Sequence, residues 1–538
     1  MGKDKNFLLA VLITLFVLFF YPKIMMQFFP QAFPEPKQQT EQPRVLQTAG
    51  GMPAQVMPKI LTTYSKEKSY VLENDRYVVT VNTPRGDIKS LALKKYIDPK
   101  TGQATILMDT NDEQNGLFDI AGDLAGAELK DVLLEGDSLV LNYAHPLNLE
   151  IKKTINLSNN SHVLGLELKI KNNSAKDQAV SYKLIAASGI EIADGIDSRY
   201  REIITIIDEG KSYKKSPGKV KTGEMVEGKL KITALKTRYF ALALVPFNQC
   251  DYSYISEQQD VSFKREAVLG AGVKMLELPA NAEIEQTFAL YAGPNDFEVM
   301  TNAGFGIDEI RGSGFFAGFS DFLLMLLRLL HNLFRNYGVA VIALSIVVNA
   351  VLYPLTFKSL KSMKDMQALQ PHVEKLRNDH KDNPEKLNKE IMELYKKNKV
   401  NPMGGCLPML FQMPVFFSLY RVLMQAVDLR GAGFLWIKDL SGPDALFVLG
   451  KSFPFIGNTV NLLPVLMIGA SFLQQKMTNP SQTNEQQKMM ATIFPIFMGA
   501  IFYKFPSGLV LYFLTNTIFS LVMQSVMTSK TKVAVGES

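Results

Sequence analysis

The chain has 538 residues, of which 47% are hydrophobic and 20% are charged, and its formal net charge of +6 is too small to indicate a nucleic-acid-binding protein. Its two cysteines, Cys250 and Cys406, exclude a disulfide-rich scaffold, and no Cys–His spacing typical of a metal site is present, so we expect neither a cofactor nor a metal. Long apolar runs dominate from Gly318 onwards, which predicts one soluble domain followed by a membrane domain.

The first element is an apolar run at residues 7–21, behind a short basic start. No convincing small-x-small cleavage site and no lipobox cysteine follow it. Residues 1–29 are therefore predicted to form an uncleaved membrane anchor with a cytoplasmic N-terminus, and a cleaved signal peptide is the alternative. Residues 30–58 are rich in Pro, Gln and Gly, a composition typical of a linker.

Residues 59–317 show the period-two alternation of β-strands. In the segment VLGLELKIKNN, one face carries Leu164, Leu166, Leu168 and Ile170. Many short strands without long amphipathic helices between them predict an antiparallel β-sandwich. A catalytic triad, metal site or carboxylate pair is not recognisable, and we interpret the five scattered histidines of the chain as surface residues.

The next segment, residues 318–336, is apolar but interrupted by Asp321, Arg328 and Arg335. This pattern predicts an amphipathic helix lying in the membrane interface, with a membrane-spanning helix as the alternative.

Five further apolar runs follow within residues 337–529, and with the N-terminal anchor they make six predicted spans. The runs are residues 337–357, 403–425, 457–475, 489–503 and 508–528, with a short tail at residues 530–538. The fifth span is short, because the residues between Lys488 and Lys504 cover only about 22 Å at helical rise. We expect snorkelling lysines or a locally thinned bilayer there.

The segment at residues 358–399 carries eleven Lys or Arg and seven Asp or Glu, which predicts a cytoplasmic location. Both termini are then cytoplasmic, and the β-domain is periplasmic. Apolar residues at helical spacing, with Asn383 as an N-cap before Pro384, predict a helical hairpin. The hairpin is either a solvated loop that only sets topology or a docking surface for the ribosome, a nascent chain or lipid headgroups. The candidate docking residues are Lys361, Lys364, Lys375 and Arg377.

Four motifs occur in a specific order along the membrane domain. They are YPLTFKSLKSM at 353–363, NPMGGCLPMLFQMPVFFSLY at 401–420, FLWIKDLSGPD at 434–444 and FPSGLVLYF at 505–513. Together they resemble the YidC membrane protein insertases of the Oxa family, in the Gram-negative form with a large periplasmic domain. The layout of the anchor, the linker and the β-domain is similar to that form as well.

The resemblance implies a multi-pass protein of the bacterial inner membrane that inserts newly made membrane proteins and helps them fold, alone or with the Sec translocon. It also implies a five-helix core around a hydrophilic groove that is open to the cytoplasm and to lipid, and a periplasmic domain with a β-supersandwich fold. Membrane lipids and the ribosome are the other partners that the resemblance implies.

Polar residues within the predicted spans are consistent with such a groove. Ser345 and Asn349 share a helix face, and Gln412 lies at a depth similar to that of Asn349. The last span adds the candidate groove residues Tyr512, Phe513, Thr515 and Asn516. The family typically carries an arginine at the position of Asn349, so any electrostatic attraction of acidic substrate tails is missing there. The alternative is that these side chains only join neighbouring helices.

Other functional classes fit the sequence less well. A small-molecule or ion transporter would also use polar residues within the membrane, but neither an internal repeat nor an intramembrane Asp or Glu is recognisable. A membrane-anchored periplasmic binding protein would leave six spans and a basic hairpin unexplained. Because no nucleotide-binding motif is present, we expect no ATP hydrolysis. Because no catalytic triad, metal site or carboxylate pair is recognisable either, we expect no enzymatic reaction.

Overall fold

The chain forms two compact units, a β unit within Pro34–Ser313 and a helical unit within Gly314–Ser538. The computed structural model describes residues 68–99, 101–110, 116–159, 161–188, 200–216, 223–259, 265–312, 315–380, 383–398, 400, 407–453, 457–478 and 485–536. The predicted anchor at 1–29 and the linker at 30–58 lie outside these residues.

The β unit consists almost entirely of antiparallel strands. The strands are β1 (Lys68–Glu73), β2 (Tyr77–Thr83), β3 (Asp87–Ile97), β4 (Ala104–Asp109), β5 (Ile120–Gly122), β6 (Glu128–Glu135), β7 (Ser138–His145), β8 (Leu149–Leu157), β9 (Val163–Asn172), β10 (Gln178–Ala187), β11 (Glu202–Ile207), β12 (Ser212–Lys215), β13 (Glu224–Glu227), β14 (Leu230–Lys236), β15 (Phe240–Pro246), β16 (Tyr252–Gln259), β17 (Arg265–Leu278) and β18 (Glu283–Pro294). A short helix α1 (Phe297–Ala303) follows, capped by the Asp296 carboxylate, which accepts a hydrogen bond from the Val299 amide.

Three sheets arise from these strands. Their orders are β1-β2-β3-β4, β13-β16-β17-β10-β5 and β12-β11-β14-β15-β18-β9-β8-β7-β6. A buried hydroxyl cluster joins the two larger sheets, since Ser253 Oγ on β16 lies 3.2 Å from Thr205 Oγ1 and 2.8 Å from Thr233 Oγ1 on β11 and β14. Face-to-face packing of antiparallel sheets confirms the predicted β-sandwich.

The predicted alternation along β9 is confirmed. All four apolar residues of the predicted face are fully buried, and the residues between them are partly exposed: the buried ones are Leu164, Leu166, Leu168 and Ile170. Strand β9 pairs with β8 on one side and β18 on the other, so Leu166 lies between Ile155 and Phe288. One continuous apolar face of the nine-stranded sheet results.

One expectation about the β unit was wrong: His162 is buried and is not a surface residue. Its ring lies near those of Tyr77 and Tyr291, and Arg76 Nη1 is 3.5 Å from its Nδ1. Burial, together with the positive charge of Arg76, lowers the pKa of His162 to about 4. No local pattern indicated this burial, because the neighbouring rings come from strands distant along the chain.

The β unit also buries a cluster of charged groups. Lys153 Nζ donates a hydrogen bond to the Phe118 carbonyl at 2.6 Å, and Lys89 Nζ lies 3.0 Å from Asp87 Oδ2. Burial raises the pKa of Asp119 to about 6, and the negative charge of Asp87 raises it as well. Burial lowers the pKa of Lys153 to about 8. Both shifts have the sign expected for charges removed from water.

Asp119→Asn is expected to remove a pH-dependent term from the stability of the β unit. The folded state binds the Asp119 proton more tightly than the unfolded state, so this term stabilises the fold below about pH 4 and is lost as the pH rises towards 6. The variant, which is uncharged throughout, should therefore gain about 2 kcal/mol relative to the natural chain between pH 4 and pH 6. Hydrogen exchange of the protected strand amides, corrected for intrinsic rates, measures this difference.

The exposed carboxylate Asp208, which pairs with Lys229, provides the control. Asp208→Asn should leave the pH dependence almost unchanged, because solvent screens an exposed ion pair. If the stability of the β unit depends on pH in the same way in the natural chain and in Asp119→Asn, the raised pKa of Asp119 is refuted.

The helical unit contains eight helices and one β-hairpin among its described residues. They are α2 (Phe315–Phe334), α3 (Tyr337–Ala368), α4 (Gln370–Asp379), α5 (Pro384–Lys397), α6 (Leu407–Gln425), the strands β19 (Phe447–Phe453) and β20 (Gly457–Val460), α7 (Leu462–Thr478), α8 (Glu485–Phe502) and α9 (Ser507–Gly536). A buried apolar core connects α2, α3, α6 and α9, with Leu327, Leu344, Leu419 and Leu509 fully buried in it.

Three helical segments among the described residues are long and apolar enough to cross a bilayer: Phe315–Phe334, Tyr337–Met366 and Ser507–Val526. A shorter apolar helix covers Thr492–Phe502. The first of these segments includes most of the predicted interfacial helix, so its placement in the interface stays a prediction, as does the count of six spans.

The helices begin and end at other residues than the predicted segments do. Helix α3 passes through Pro354 and ends at Ala368, ten residues beyond the predicted start of the cytoplasmic hairpin, because no further proline or glycine interrupts it before Pro371. The predicted span 457–475 begins with strand β20, and its helix starts only at Leu462. Helix α9 continues through most of the predicted tail.

The predicted start of the second hairpin helix is confirmed. Asn383 Oδ1 accepts a hydrogen bond from the Lys386 amide at 3.1 Å, and Pro384 occupies the first helical turn of α5. His380 at the end of α4 lies 3.0 Å from Glu390 Oε2 on α5, so a polar contact joins the two helices.

Candidate functional site

Three helices that carry predicted groove residues are hydrogen-bonded at Tyr512. This side chain is fully buried on α9, and Gln412 Nε2 on α6 donates to its phenol oxygen at 3.1 Å. The Tyr512 carbonyl accepts a hydrogen bond from Ser345 Oγ on α3 at 3.5 Å, at the long end of the range. Tyr512 therefore connects α3, α6 and α9 through two polar contacts within the apolar bundle.

Asn349 bonds within its own helix. Its Nδ2 donates to the Ser345 carbonyl at 2.7 Å, one turn earlier on α3. Asn349 and Gln412 share no direct hydrogen bond in the described structure, but both side chains are partly exposed, unlike the buried Ser345. Their amides remain within reach of water or of a hydrophilic chain segment.

The other predicted residues of α9 have different surroundings. Thr515 Oγ1 donates to the Leu511 carbonyl of its own helix at 2.8 Å, and Asn516 is partly exposed. Phe513 belongs to an aromatic cluster, with its ring centroid 5.4 Å from that of Phe416 and 4.8 Å from that of Phe502. Phe513 thus contributes packing, and the phenol in this region comes from Tyr512.

The connection between α6 and α7, residues 426–461, covers one end of the bundle. The amide of Gly508, at the start of α9, donates to the Leu440 carbonyl at 3.0 Å, and Ser507 Oγ donates to the Asp439 carbonyl at 3.1 Å. The Phe434 ring lies against Gly338, where any Cβ atom would collide with it. The motif FLWIKDLSGPD therefore closes the end of the bundle at which α3 and α9 begin.

Asp444 organises this closed end. Its Oδ2 accepts hydrogen bonds from the amides of Leu462 and Leu463 at 2.7 and 2.9 Å and from Trp436 Nε1 at 3.2 Å. The carboxylate is nearly fully buried and sits at the N-terminus of α7, where the helix dipole favours a negative charge. The same residue thus starts α7 and fixes the loop.

A partly buried ion pair attaches α2 to the same end of the bundle. Arg328 Nη2 lies 2.8 Å from Asp428 Oδ2, and the Tyr337 phenol donates to Asp428 Oδ1 at 3.4 Å. The ring of His331 stacks on that of Tyr337 with a centroid distance of 3.7 Å. These contacts fix α2 to the start of α3 and the end of α6.

The candidate docking residues are divided between two helices. Lys361 and Lys364 lie on the last turns of α3, and Lys375 and Arg377 lie on α4. Lys361 and Lys375 are exposed, and the other two are partly exposed. Only Lys375 and Arg377 therefore lie on the helix pair α4 and α5, within the predicted hairpin segment 358–399.

The contacts of Asp428, Asp444 and Asn461 were not predicted from the sequence, although Asp444 ends a quoted motif; Asn461 accepts a hydrogen bond from the Ala445 amide and donates one to the Tyr503 carbonyl. Asp428 and Arg328 are separated by one hundred positions, so no local spacing relates them. Asn461 stands directly before the apolar run of α7, a pattern typical of a helix start, and this signal was available. Among the described residues, no group of three or more His, Cys, Asp or Glu side chains is arranged to hold a metal ion.

Comparison with known proteins identifies the family. Residues 329–534 match the family described as 60Kd inner membrane protein, and residues 69–326 match the YidC periplasmic domain. The membrane protein insertase YidC of Chlorobium luteolum is 31% identical over 500 residues, which cover 87% of this chain and 84% of the relative. The chain belongs to the YidC family of membrane protein insertases.

Two further comparisons involve YidC proteins. The YidC of Pelobacter propionicus is 29% identical over 544 residues, which cover 97% of this chain and 98% of that protein. A crystal structure of an active YidC insertase with its first transmembrane domain resolved covers 86% of the chain at 18% identity, with a TM-score of 0.37. The chain is thus an inner-membrane protein with a periplasmic β-sandwich domain and several apolar helices. The resemblance of its four motifs to YidC is confirmed, and the transporter alternative is not supported.

Proposed function

We propose that this YidC-family insertase moves the hydrophilic segments of its substrates along a groove lined by the partly exposed Asn349, Gln412, Thr515 and Asn516, with the buried Ser345 and Tyr512 joining the helices behind it. The substrates are newly made membrane proteins, whose apolar segments leave the groove sideways into lipid. The observation that carries the proposal is the convergence of α3, α6 and α9 at Tyr512, beside two partly exposed amides.

The chemistry of such a groove follows from solvation. Moving one peptide group from water into hydrocarbon costs several kcal/mol when no hydrogen bond replaces the lost water. Amides such as those of Asn349 and Gln412 can accept and donate hydrogen bonds partway across, which lowers this barrier. Burial of the apolar segments of the substrate in lipid then drives insertion, with help from the membrane potential, and no covalent catalysis is needed.

Closure of one end of the groove is supported by the loop at residues 426–461. Its hydrogen bonds to the start of α9 and its cap on α7 cover the end of the bundle away from the cytoplasmic hairpin. A groove closed there and open at the other end would admit substrates from the cytoplasm while preventing free ion leakage.

Topology and partners complete the proposal. The apolar runs of the sequence support six spans, and the excess of Lys and Arg in residues 358–399 supports cytoplasmic termini and a periplasmic β unit. The exposed Lys361 and Lys375 would contact a ribosome, a nascent chain or anionic lipid headgroups. The insertase would work alone on simple substrates and beside the Sec translocon on larger ones.

Reconstitution tests the proposed activity directly. The purified full chain in vesicles should insert a single-span protein with a short hydrophilic tail, seen as protection of that tail from added protease, without nucleotide. Protection no greater than in protein-free vesicles would refute autonomous insertion. Protection that requires added Sec translocon would restrict the proposal to the Sec-dependent role.

Asn349→Arg is expected to favour substrates with acidic tails. A charge at this partly exposed position attracts a carboxylate with ~1 kcal/mol or more, so insertion of an acidic-tailed substrate should rise about fivefold relative to a neutral-tailed one. Asn349→Gln, which keeps an amide, is the matched control and should not change the ratio. The ratio is measured by tail protection in vesicles, and an unchanged ratio in Asn349→Arg would place residue 349 outside the substrate path.

A further inference from the structure

The hairpin β19–β20 exposes large apolar side chains. Phe447 is 63% exposed and Val448 is 72% exposed, both on β19. Leu435, at the tip of the turn closed by the paired backbones of Phe434 and Ile437, is 76% exposed. Exposed side chains of this size, grouped in one connection, indicate a contact surface.

Hydrogen bonds attach the base of the hairpin to the neighbouring helices. The Leu446 amide donates to the Val460 carbonyl at 2.9 Å, and the Ala445 amide donates to Asn461 Oδ1 at 3.0 Å. Asn461 Nδ2 in turn donates to the carbonyl of Tyr503, which directly follows α8, at 2.6 Å. The base of the hairpin is thus fixed between the start of α7 and the end of α8.

Both helices beneath the hairpin are short for a bilayer. Helix α7 has 17 residues, about 25 Å at helical rise, and the uncharged part of α8 after Lys488, residues 489–502, covers about 21 Å. The hydrocarbon core of a bilayer is about 30 Å thick. Apolar side chains placed directly beyond the end of these helices would extend their hydrophobic surface and reduce the mismatch.

The charges around the hairpin match an anionic lipid surface. Residues 445–460 contain no Asp or Glu, and their only charged side chain is that of Lys451. Lys504 follows Tyr503 at the end of α8, and Tyr503 Oη donates to the Thr459 carbonyl at 3.1 Å. Tyrosine and lysine next to apolar surface are typical of the boundary between hydrocarbon and headgroups.

We propose that β19–β20 is embedded in lipid, with Phe447 and Val448 inserted into the outer leaflet beside α7 and α8 and Lys451 at anionic headgroups. The hairpin then extends the hydrophobic surface of α7 and α8 towards the thickness of the hydrocarbon core and keeps the outer leaflet in contact with that surface. The proposal uses the orientation given above but does not depend on the insertase activity.

Nitroxide spin labels in the full chain test this placement. The labelled variants are Val448→Cys on the hairpin, Val465→Cys on an exposed position of α7 and Met275→Cys on an exposed apolar position of the β unit, each with Cys250→Ala and Cys406→Ser. In nanodiscs of phosphatidylethanolamine and phosphatidylglycerol, collisions with oxygen report hydrocarbon, and collisions with a water-soluble nickel chelate report water. We expect Val448→Cys to resemble Val465→Cys, with oxygen dominating, and Met275→Cys to favour nickel.

The outcomes are distinguishable. Nickel-dominated collisions at position 448, with oxygen dominating at 465, would overturn the proposal, and weak collisions with both reagents would mean that protein covers the hairpin, which overturns it too. Nickel dominance at position 465 would refute the membrane placement of α7 and the proposal together. Adding Lys451→Glu should shift the label at 448 towards nickel in these nanodiscs but not in phosphatidylcholine, and no shift would overturn the headgroup contact.

Discussion

Asp444→Ala is expected to lower the free energy of unfolding of the helical unit by about 4 kcal/mol. The substitution removes the acceptor of three hydrogen bonds. The Leu462 and Leu463 amides and Trp436 Nε1 then lose their acceptor. Water cannot easily replace the carboxylate there, because the side chain of Asp444 is nearly fully buried. Trp436 is the single tryptophan of the chain, so its fluorescence follows unfolding in mixed micelles.

Asp439→Ala is the matched control, because Asp439 is an aspartate in the same loop. Its Oδ1 accepts hydrogen bonds from the amides of Gly431 and Ser441, and its side chain is partly exposed. Water can substitute for part of these contacts, so we expect a loss of about 1 kcal/mol. Equal losses for the two variants would contradict the role of Asp444 as the buried cap of α7.

Asn349→Leu combined with Gln412→Leu is expected to slow insertion of a single-span substrate about tenfold, which corresponds to ~1.4 kcal/mol in the barrier. Leucine has a similar volume but cannot bond to the hydrophilic segment of the substrate or hold water for it. Insertion is measured as the rate at which the substrate tail becomes protected in vesicles.

Tyr512→Phe separates this effect from the loss of a contact between helices. Tyr512→Phe removes the partner of Gln412 Nε2 but keeps the buried ring, and interhelical hydrogen bonds in membranes contribute only about 0.6 kcal/mol. It should therefore leave insertion nearly unchanged. If the double leucine variant inserts at the natural rate, the polar side chains only join helices, and the groove has another location.

Local signals predicted those parts of the structure that short segments determine by themselves. The alternation in β9 was sufficient because one residue in two must face the core, and the Asn383–Pro384 start of α5 was sufficient because a cap acts within one turn. The apolar runs located α3 and α9 for the same reason, although not their ends.

Contacts between distant segments determined the rest. Helix α7 starts at Leu462 because Asp444, eighteen residues earlier, caps it, and the residues predicted to begin that span pair as strand β20 instead. Within the candidate site, the sequence grouped Tyr512 and Phe513 together. Only the packing of α6 and α8 shows that the phenol bonds to Gln412 while Phe513 joins the aromatic cluster.

A photocrosslinking amino acid at Gln412 tests the central claim, that this residue lines the path of the substrate. A small single-span protein would be translated on ribosomes with membranes that contain the labelled chain, and a crosslinker at Ile518, exposed on α9, would serve as the control. We predict an adduct between position 412 and the substrate that forms only during insertion, with position 518 reacting mainly with lipid. Adducts from position 412 only to neighbouring helices or lipid would contradict the proposed groove.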